Sequence, residues 1–306
     1  MGAGPTRRTV LKGLAGASAL AATGVYGLGV EPLYRLRVQR YAPDPPAWPP
    51  VLRLTIAALA DIHVGEPTMP LARVEEIVAA TNALRPDLVV LLGDYAAGHP
   101  FVTRAVANRD FAAAIAGLRA PLGVHAILGN HDWWDDPAAQ SARRGPPQMR
   151  RDLEAAGIPV LENEAVRILA PDGPFWLLGL GDQIAFRRTR GLPTQGVDRL
   201  WPTMQQITDG APAILLAHEP DIFHRTSGRV ALTLAGHTHG GQLRVLGYSP
   251  VVPSRFGQRY AYGHVVQDGR HMIVSGGLGT GLAPFRLGVP PEIVLVALGT
   301  PAQLLS

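Results

Sequence analysis

Residues 88–95 read LVVLLGDY. The apolar run is of strand length and too short for a helix. It meets no polar residue before Gly93-Asp94. A strand buried on both faces reads in this way, and the glycine permits a sharp turn ahead of the carboxylate. The same form recurs along the chain. Residues 52–60 end at Asp61, 123–128 run into Gly129-Asn130, 213–217 end at His218, and 230–235 run into Gly236-His237. Helical spacing separates the first strands, over 71–84 (Leu71, Val74, Ile77, Val78), 101–118 and 148–156. Further strand-like runs fall at 159–161, 166–170, 175–180, 242–245, 260–267, 271–274 and 293–298. Alternation of this kind predicts an α/β fold. In such sheets ligand sites collect at the carboxyl ends of strands, so the five motifs are expected on one rim.

The motifs themselves are Asp61-x-His63, Gly93-Asp94, Gly129-Asn130-His131-Asp132, His218 and Gly236-His237-Thr238-His239. Two hydrolytic metal ions need about six or seven oxygen and nitrogen ligands, one of them a carboxylate bridging about 3.5–4 Å. Asp61, His63, Asp94, Asn130, His218, His237 and His239 supply that inventory. Each motif alone is weak; their order, each after an apolar strand, is what carries weight.

Composition narrows the chemistry. The chain has 306 residues, 47% hydrophobic and 17% charged, enough for one large core. It contains no cysteine. Disulfides and thiolate metal sites are therefore excluded, and any metal is held by carboxylate, imidazole and amide groups, which suits Mn, Fe, Zn or Co. The formal net charge is +4. Arg7, Arg8 and Lys12 carry three of those charges, which leaves the rest at +1 and gives no basis for specific nucleic-acid binding.

The motif set resembles the calcineurin-like metallophosphoesterase superfamily. The strings LLGDY, GNHDWW, HEPD, GHTHGGQ and SGGLGTGLAPFRLGVPPEIVLV resemble its bacterial twin-arginine-exported, phosphodiesterase-like branch, and the resemblance spans about residues 53–298. It implies a four-layer αββα sandwich of two mixed sheets flanked by helices. It also implies one metal held by Asp61, His63, Asp94 and His239 and another by Asp94, Asn130, His218 and His237, with Asp94 bridging. The implied reaction is hydrolysis of phosphodiesters or phosphomonoesters by a metal-bound hydroxide. His131 takes the position of the histidine that approaches the phosphate. In the phosphoprotein phosphatase branch the second motif continues as Gly-Asp-x-x-Asp-Arg-Gly. Here Ala97 replaces the second Asp, so the support of His131 falls to Asp132, a backbone carbonyl or water.

The first residues read as an address. Thr6-Arg7-Arg8-Thr9-Val10-Leu11-Lys12 resembles a twin-arginine signal, with Val10 in place of the usual Phe. Residues 13–30 follow as an apolar stretch. Ala19-Leu20-Ala21 offers a cleavage site, yet 18 apolar residues also approach the length of a membrane span. The expected organisation is a signal or anchor over 1–30, a proline-rich linker over 31–50 (including YAPDPPAWPP) and a metallophosphoesterase domain over 51–306. The expected partners are the translocation machinery, a phosphate-ester substrate, and the membrane or cell wall. The expected location is the periplasm, the cell wall or the outer face of the cytoplasmic membrane.

His99 and Trp133 are candidates for the substrate side of the site. The arginines at 143, 144, 150 and 151, and those at 187, 188 and 190, are candidates for drawing in an anionic substrate. Residues 276–281 (GGLGTG) lack the strand and helix context of a nucleotide-binding loop and read as a turn near the site. His125 reads as a core residue within its strand. The competing reading is a metal- or cell-wall-binding protein with little turnover.

Overall fold

The computed structural model describes residues 6–189 and 191–299. In chain order the strands are β1 (Arg37–Tyr41), β2 (Leu54–Leu59), β3 (Gly65–Glu66), β4 (Leu88–Leu91), β5 (Arg104–Ala105), β6 (Val124–Ala126), β7 (Glu164–Ala170), β8 (Gly173–Gly179), β9 (Ala213–Leu216), β10 (Val230–Ala235), β11 (Gly263–Gln267), β12 (Arg270–Val274) and β13 (Glu292–Leu298). The α-helices are α1 (Arg7–Val25), α2 (Glu31–Tyr34), α3 (Leu71–Ala83), α4 (Asn108–Ile115), α5 (Asn130–Trp134), α6 (Pro137–Ala142), α7 (Gln148–Ala155) and α8 (Leu200–Met204).

Two mixed sheets stack face to face. One has the order β1-β13-β2-β4-β6, the other β11-β12-β10-β9-β8-β7. Successive residues of a strand point to opposite faces, and here each face meets a different core. Ala57, Leu59, Val89 and Leu91 pack against α3, α4 and α7. Ile56, Ala58, Leu88 and Val90 face inward and meet Leu177, Ile214, Leu216 and Leu234 of the second sheet. The opposite face of that sheet, with Trp176, Leu178 and Leu215, is covered by Leu200 of α8 and Ile222 of a short 3₁₀ turn. The result is the four-layer αββα sandwich, with a thin fourth layer. Burial on both faces is why these strands read as uninterrupted apolar runs.

Four expectations need correction. The run at 159–161 forms no strand, only an isolated bridge from Val160 to Ala126. The helix over 101–118 is confined to Asn108–Ile115. Before it, β-branched Val102 and Thr103 lead into β5, which pairs with β3 behind the first motif. The run at 242–245 forms no strand; Leu243 bridges to Leu287 instead. The boundary at Val51 is also too late. β1 pairs in parallel with β13 from Arg37–Glu292 to Tyr41–Val296. Arg37 forms an ion pair of 2.7 Å with the fully buried Glu292, and Trp48 is buried against Phe175. Residues 31–50 are thus part of the fold. An edge strand of charged and polar residues carries no apolar run by which to be recognised.

α1 continues through a π-helical turn, Tyr26–Val30, into α2. Together Arg7–Tyr34 make a helix of 28 residues, long and apolar enough to cross a membrane by length and composition.

Candidate metal centre

All seven predicted ligands come together at the carboxyl ends of β2, β4, β6, β9 and β10. Asp61, His63 and His239 form one cluster and Asp94, His218 and His237 a second; within each, the potential ligand atoms lie within 4.8 Å of one another. Asn130 joins the second, its Oδ1 lying 2.8 Å from His237 Nδ1. Asp94 stands between the two. One oxygen, Oδ2, is 3.2 Å from His218 Nε2 and 3.6 Å from His63 Nε2.

The backbone is bent sharply to achieve this. Asp61, His63, Asp94, His237 and His239 all have φ between 48° and 68°. That left-handed region costs a residue with a side chain about 1–3 kcal/mol. Interlocking hydrogen bonds hold the bends. His131 N donates to Asp94 Oδ1 at 2.7 Å, and His237 N donates to both oxygens of Asp61 at 3.0 Å. Asp132 accepts from the N–H groups of Gly129, Asp94 and Tyr95 at 2.8–2.9 Å, clamping two motif loops together. Gly129 has a packing reason. A Cβ there would lie 2.4 Å from Asp94 Oδ1 and 2.6 Å from His218 Cε1.

The imidazoles are oriented from behind. His218 Nδ1 donates to Leu92 O at 2.7 Å and His63 Nδ1 to Ala96 O at 3.0 Å. A carbonyl only accepts, so Nδ1 carries a proton in each ring and Nε2 is the nitrogen turned toward the centre. Burial would lower His218, but Asp94 and then Asp61 outweigh it and raise that ring well above the ordinary imidazole value. Burial pushes His63 down to about 3 and lowers His237 and His239 in the same direction. Burial, with Asp94 adding and His218 opposing, pushes Asp61 up to about 7. Burial would also raise Asp94, but His218 and then His131 outweigh it and hold that carboxyl well below the usual range. His218 Nε2 is fully buried and has only the carboxylates before it, Asp94 Oδ2 at 3.2 Å and Asp61 Oδ1 at 4.0 Å, in neither case as a well-formed hydrogen bond. An imidazole nitrogen turned onto two buried carboxylates fits a pair of divalent cations, as does the set of carboxylate, amide and imidazole donors.

His131 lies at the rim, its ring 5.0 Å from that of His63. Its Nδ1 is 3.0 Å from Asp135 Oδ2, one turn further on. Asp135, rather than Asp132, takes the place left by Ala97. Asp135 in turn is 3.6 Å from Arg187 Nη2, and that guanidinium lies 4.7 Å over Trp134.

The substrate-side residues are redistributed. Trp133 is buried against Phe186. Its neighbour Trp134 is the one that lines the cavity over the metal centre. Helical geometry turns consecutive residues about 100° apart, so only one of the pair can face the site. His99 is buried beside Phe101, with Nε2 unpartnered, and stands off that cavity. Among the basic groups, Arg143 caps the carbonyls of Arg187 and Pro193, and Arg150 pairs with Glu154 and Glu162. Arg190 lies outside the described residues. The glycine-rich turn lies against the site, where Gly279 N donates to Asp61 O at 2.7 Å.

Sequence reasoning missed Arg286. Its guanidinium is fully buried, donating to Gly279 O and Val289 O at 2.7 and 2.8 Å, with Nη2 3.3 Å from His239 Nδ1. Burial pushes it down to about 10. A lone arginine in an apolar string signals nothing until the fold brings His239 to it.

Comparison with known proteins agrees with this geometry. The model of the calcineurin-like phosphoesterase family matches residues 54–241. The chain is 31% identical to an uncharacterized metallophosphoesterase of Aquifex aeolicus, over 87% of this chain and 92% of that one. It is 28% identical to the uncharacterized metallophosphoesterase YkuE of Bacillus subtilis, over 96% and 97%. With phosphodiesterase YaeI of Escherichia coli it shares 30% identity over 79% and 81%. With the two metal-ligand clusters, this match makes the chain a member of the calcineurin-like phosphoesterase family and a hydrolase of phosphoester bonds.

Proposed function

We propose that this metallophosphoesterase is exported by the twin-arginine route. On this reading it hydrolyses phosphoesters of the cell envelope at the outer face of the cytoplasmic membrane. The observation that carries the chemistry is the position of Asp94 between two ligand clusters, with His131 at their rim. Support for the address comes from Arg7 and Arg8 at the head of a helix of membrane-spanning length. The name of the Escherichia coli relative makes a phosphodiester the first ester to try.

Divalent cations supply Lewis-acid chemistry here, making water a stronger nucleophile and offsetting charge on the phosphoryl oxygens. Mn, Fe, Zn and Co all suit the donors. Asp61, His63, His239 and Asp94 would hold one cation, and Asp94, Asn130, His218 and His237 the other. With Nδ1 engaged by Asp135, His131 has Nε2 left to give a proton to the departing oxygen. Trp134 packs beside that ring, with the centroids 5.3 Å apart.

The test has two arms. Metal-loaded protein, its Asp94→Asn and its His237→Ala forms are assayed on bis-p-nitrophenyl phosphate and p-nitrophenyl phosphate. Equal rates in all three would sink the assignment of the site. Cells expressing the chain, or a form with Arg7 and Arg8 changed to Lys, are fractionated. Export unaffected by the change would remove the twin-arginine route.

A further inference from the structure

A cavity of about 380 Å³ opens beside the metal centre. Asp94 and His131 close one end; Trp134, Leu243, Val251 and Leu282 line the rest. Two features set its chemistry. First, no Lys or Arg among the described residues lines it, and the polar side chains that do are already engaged. Gln242 donates to Ala283 O and Phe285 O at 3.0 and 2.9 Å while its Oε1 accepts from Gly281 N at 2.6 Å. Thr238 Oγ1 donates to Ala261 O at 2.7 Å. Beyond the metal ligands and His131, no side-chain donor is free to read a sugar or a base. An apolar group entering here displaces water from apolar walls, whereas a polar one would lose its hydrogen bonds.

Second, away from Arg187, which lies over Trp134, the side of the rim formed by residues 246–251 and 282 is exposed, largely apolar and tied to the N-terminal helix. Leu282, Val251 and Tyr248 are largely exposed, and Leu246 completely so. The segment carrying Leu246 pairs with the one carrying Phe285, through Leu287 N to Gln242 O and Arg244 N to Leu287 O, both 2.8 Å. That second segment is fastened to the end of the helix Arg7–Tyr34. Arg286 N donates to Gly27 O at 2.8 Å, and the N–H groups of Gly288 and Val289 donate to the buried Glu31 carboxylate at 3.0 and 2.8 Å. The ring of Phe285 packs on Gly27, with no room for a Cβ. The mouth of the site and the outer end of the helix are therefore one hydrogen-bonded unit. If the helix spans a bilayer, the apolar rim lies at its surface.

We infer that this cavity receives the hydrocarbon tail of a membrane-borne phosphoester, with the phosphate held at the metal centre. The inference rests on the phosphoesterase reading and adds the class of substrate. A lipid partly withdrawn into the cavity would bring its phosphoester to His131 without leaving the membrane surface, and Leu282, Val251 and Leu246 would cover the exposed part of the chain.

The metal-loaded full chain in nanodiscs is titrated with n-alkylphosphonic acids from ethyl to octyl, protein-free nanodiscs serving as the blank. Hydrolysis of bis-p-nitrophenyl phosphate is followed on the same preparation. The expected result is a Kd that falls roughly 4-fold per added methylene, the transfer value of a buried CH₂. The gain should disappear in Leu282→Glu and in Val251→Glu, both exposed enough to be tolerated. A Kd independent of chain length overturns the inference, and so does a gain that both variants retain. Hydrolysis with a flat series removes the tail site and leaves the phosphoesterase standing. A steep series without hydrolysis supports the tail site and removes the phosphoesterase reading instead.

Discussion

Asp135 Oδ2 lies 3.0 Å from His131 Nδ1, and the two residues stand one helical turn apart, Asp135 as the C-cap of α5. The orienting carboxylate has thus moved from the loop after Gly93-Asp94, where Ala97 stands, to the end of α5. Room for it comes from Gly98, where a Cβ would fall 2.1 Å from Asp135 Oδ2. The dyad is rebuilt locally, four residues apart on one helix face.

Removing that carboxylate gives the first prediction. Asp135→Asn should lower kcat about 10–100-fold, while His131→Ala loses about 10²–10⁴-fold. KM and metal content should stay near the parent values in Asp135→Asn. The double variant should be no slower than His131→Ala alone, since both act through one ring. Additive losses in steady-state kinetics would show that Asp135 acts on something other than His131.

Metal content should respond to ligand position. Asp94→Asn should lose ions from both clusters, and His218→Ala from only one, as read by elemental analysis. Chelation should lower the unfolding temperature, because Asp61 and Asp94 are then buried together with no cation between them. Restoring the metal at 100 times its Kd should return about 2.7 kcal/mol. An unfolding temperature indifferent to chelator would show that the clusters do not depend on ions for their stability.

The N-terminal segment should behave as part of the domain. A chain beginning at Val51 should be insoluble or unfold far earlier than one beginning at Ala22, because it lacks β1 and Glu31. Within the longer form, Arg37→Ala should cost about 1–3 kcal/mol by leaving the buried Glu292 short of a partner. Denaturant melts of the truncations and the point variant would measure both.

His125 should make stability depend on pH. Burial lowers its pKa below the ordinary 6.5. Its unfolded form therefore binds a proton first as pH falls. The stability it allows is fully present above about pH 6.5 and is lost as pH falls toward the folded value. His125→Val should flatten the acid side of an unfolding-temperature profile. A profile identical to the parent's would mean that the ring is solvated enough to titrate freely.

Much of the site was legible because a binuclear centre needs particular side chains after particular strands. The strand ends at Leu59, Leu91, Leu216 and Ala235 deliver Asp61, Asp94, His218 and His237, as their apolar runs predict. Elements without such runs were not legible. β1 (RVQRY) is mostly charged and polar and lies at a sheet edge, and its membership depends on β13, over two hundred residues away. Trp133 and Trp134 are alike as letters. Which of them faces the cavity depends on the direction in which α5 leaves Gly129.

The two-sided strands, the seven candidate ligands and the family can all be read from the chain's letters alone. Each follows from local rules: an apolar run must be buried, and a hydrolytic metal pair needs hard donors in sufficient number. Only the tertiary structure decided what surrounds those ligands. Asp135, Arg286, Gln242 and Glu31 act through partners distant in sequence or through a helix direction that composition does not encode. The apolar cavity and its tie to the N-terminal helix exist only once segments around 27, 243 and 285 are brought together. Proximity of that kind is a property of packing, where a hydrogen bond between Arg286 and Gly27 can join parts of the chain that share no motif.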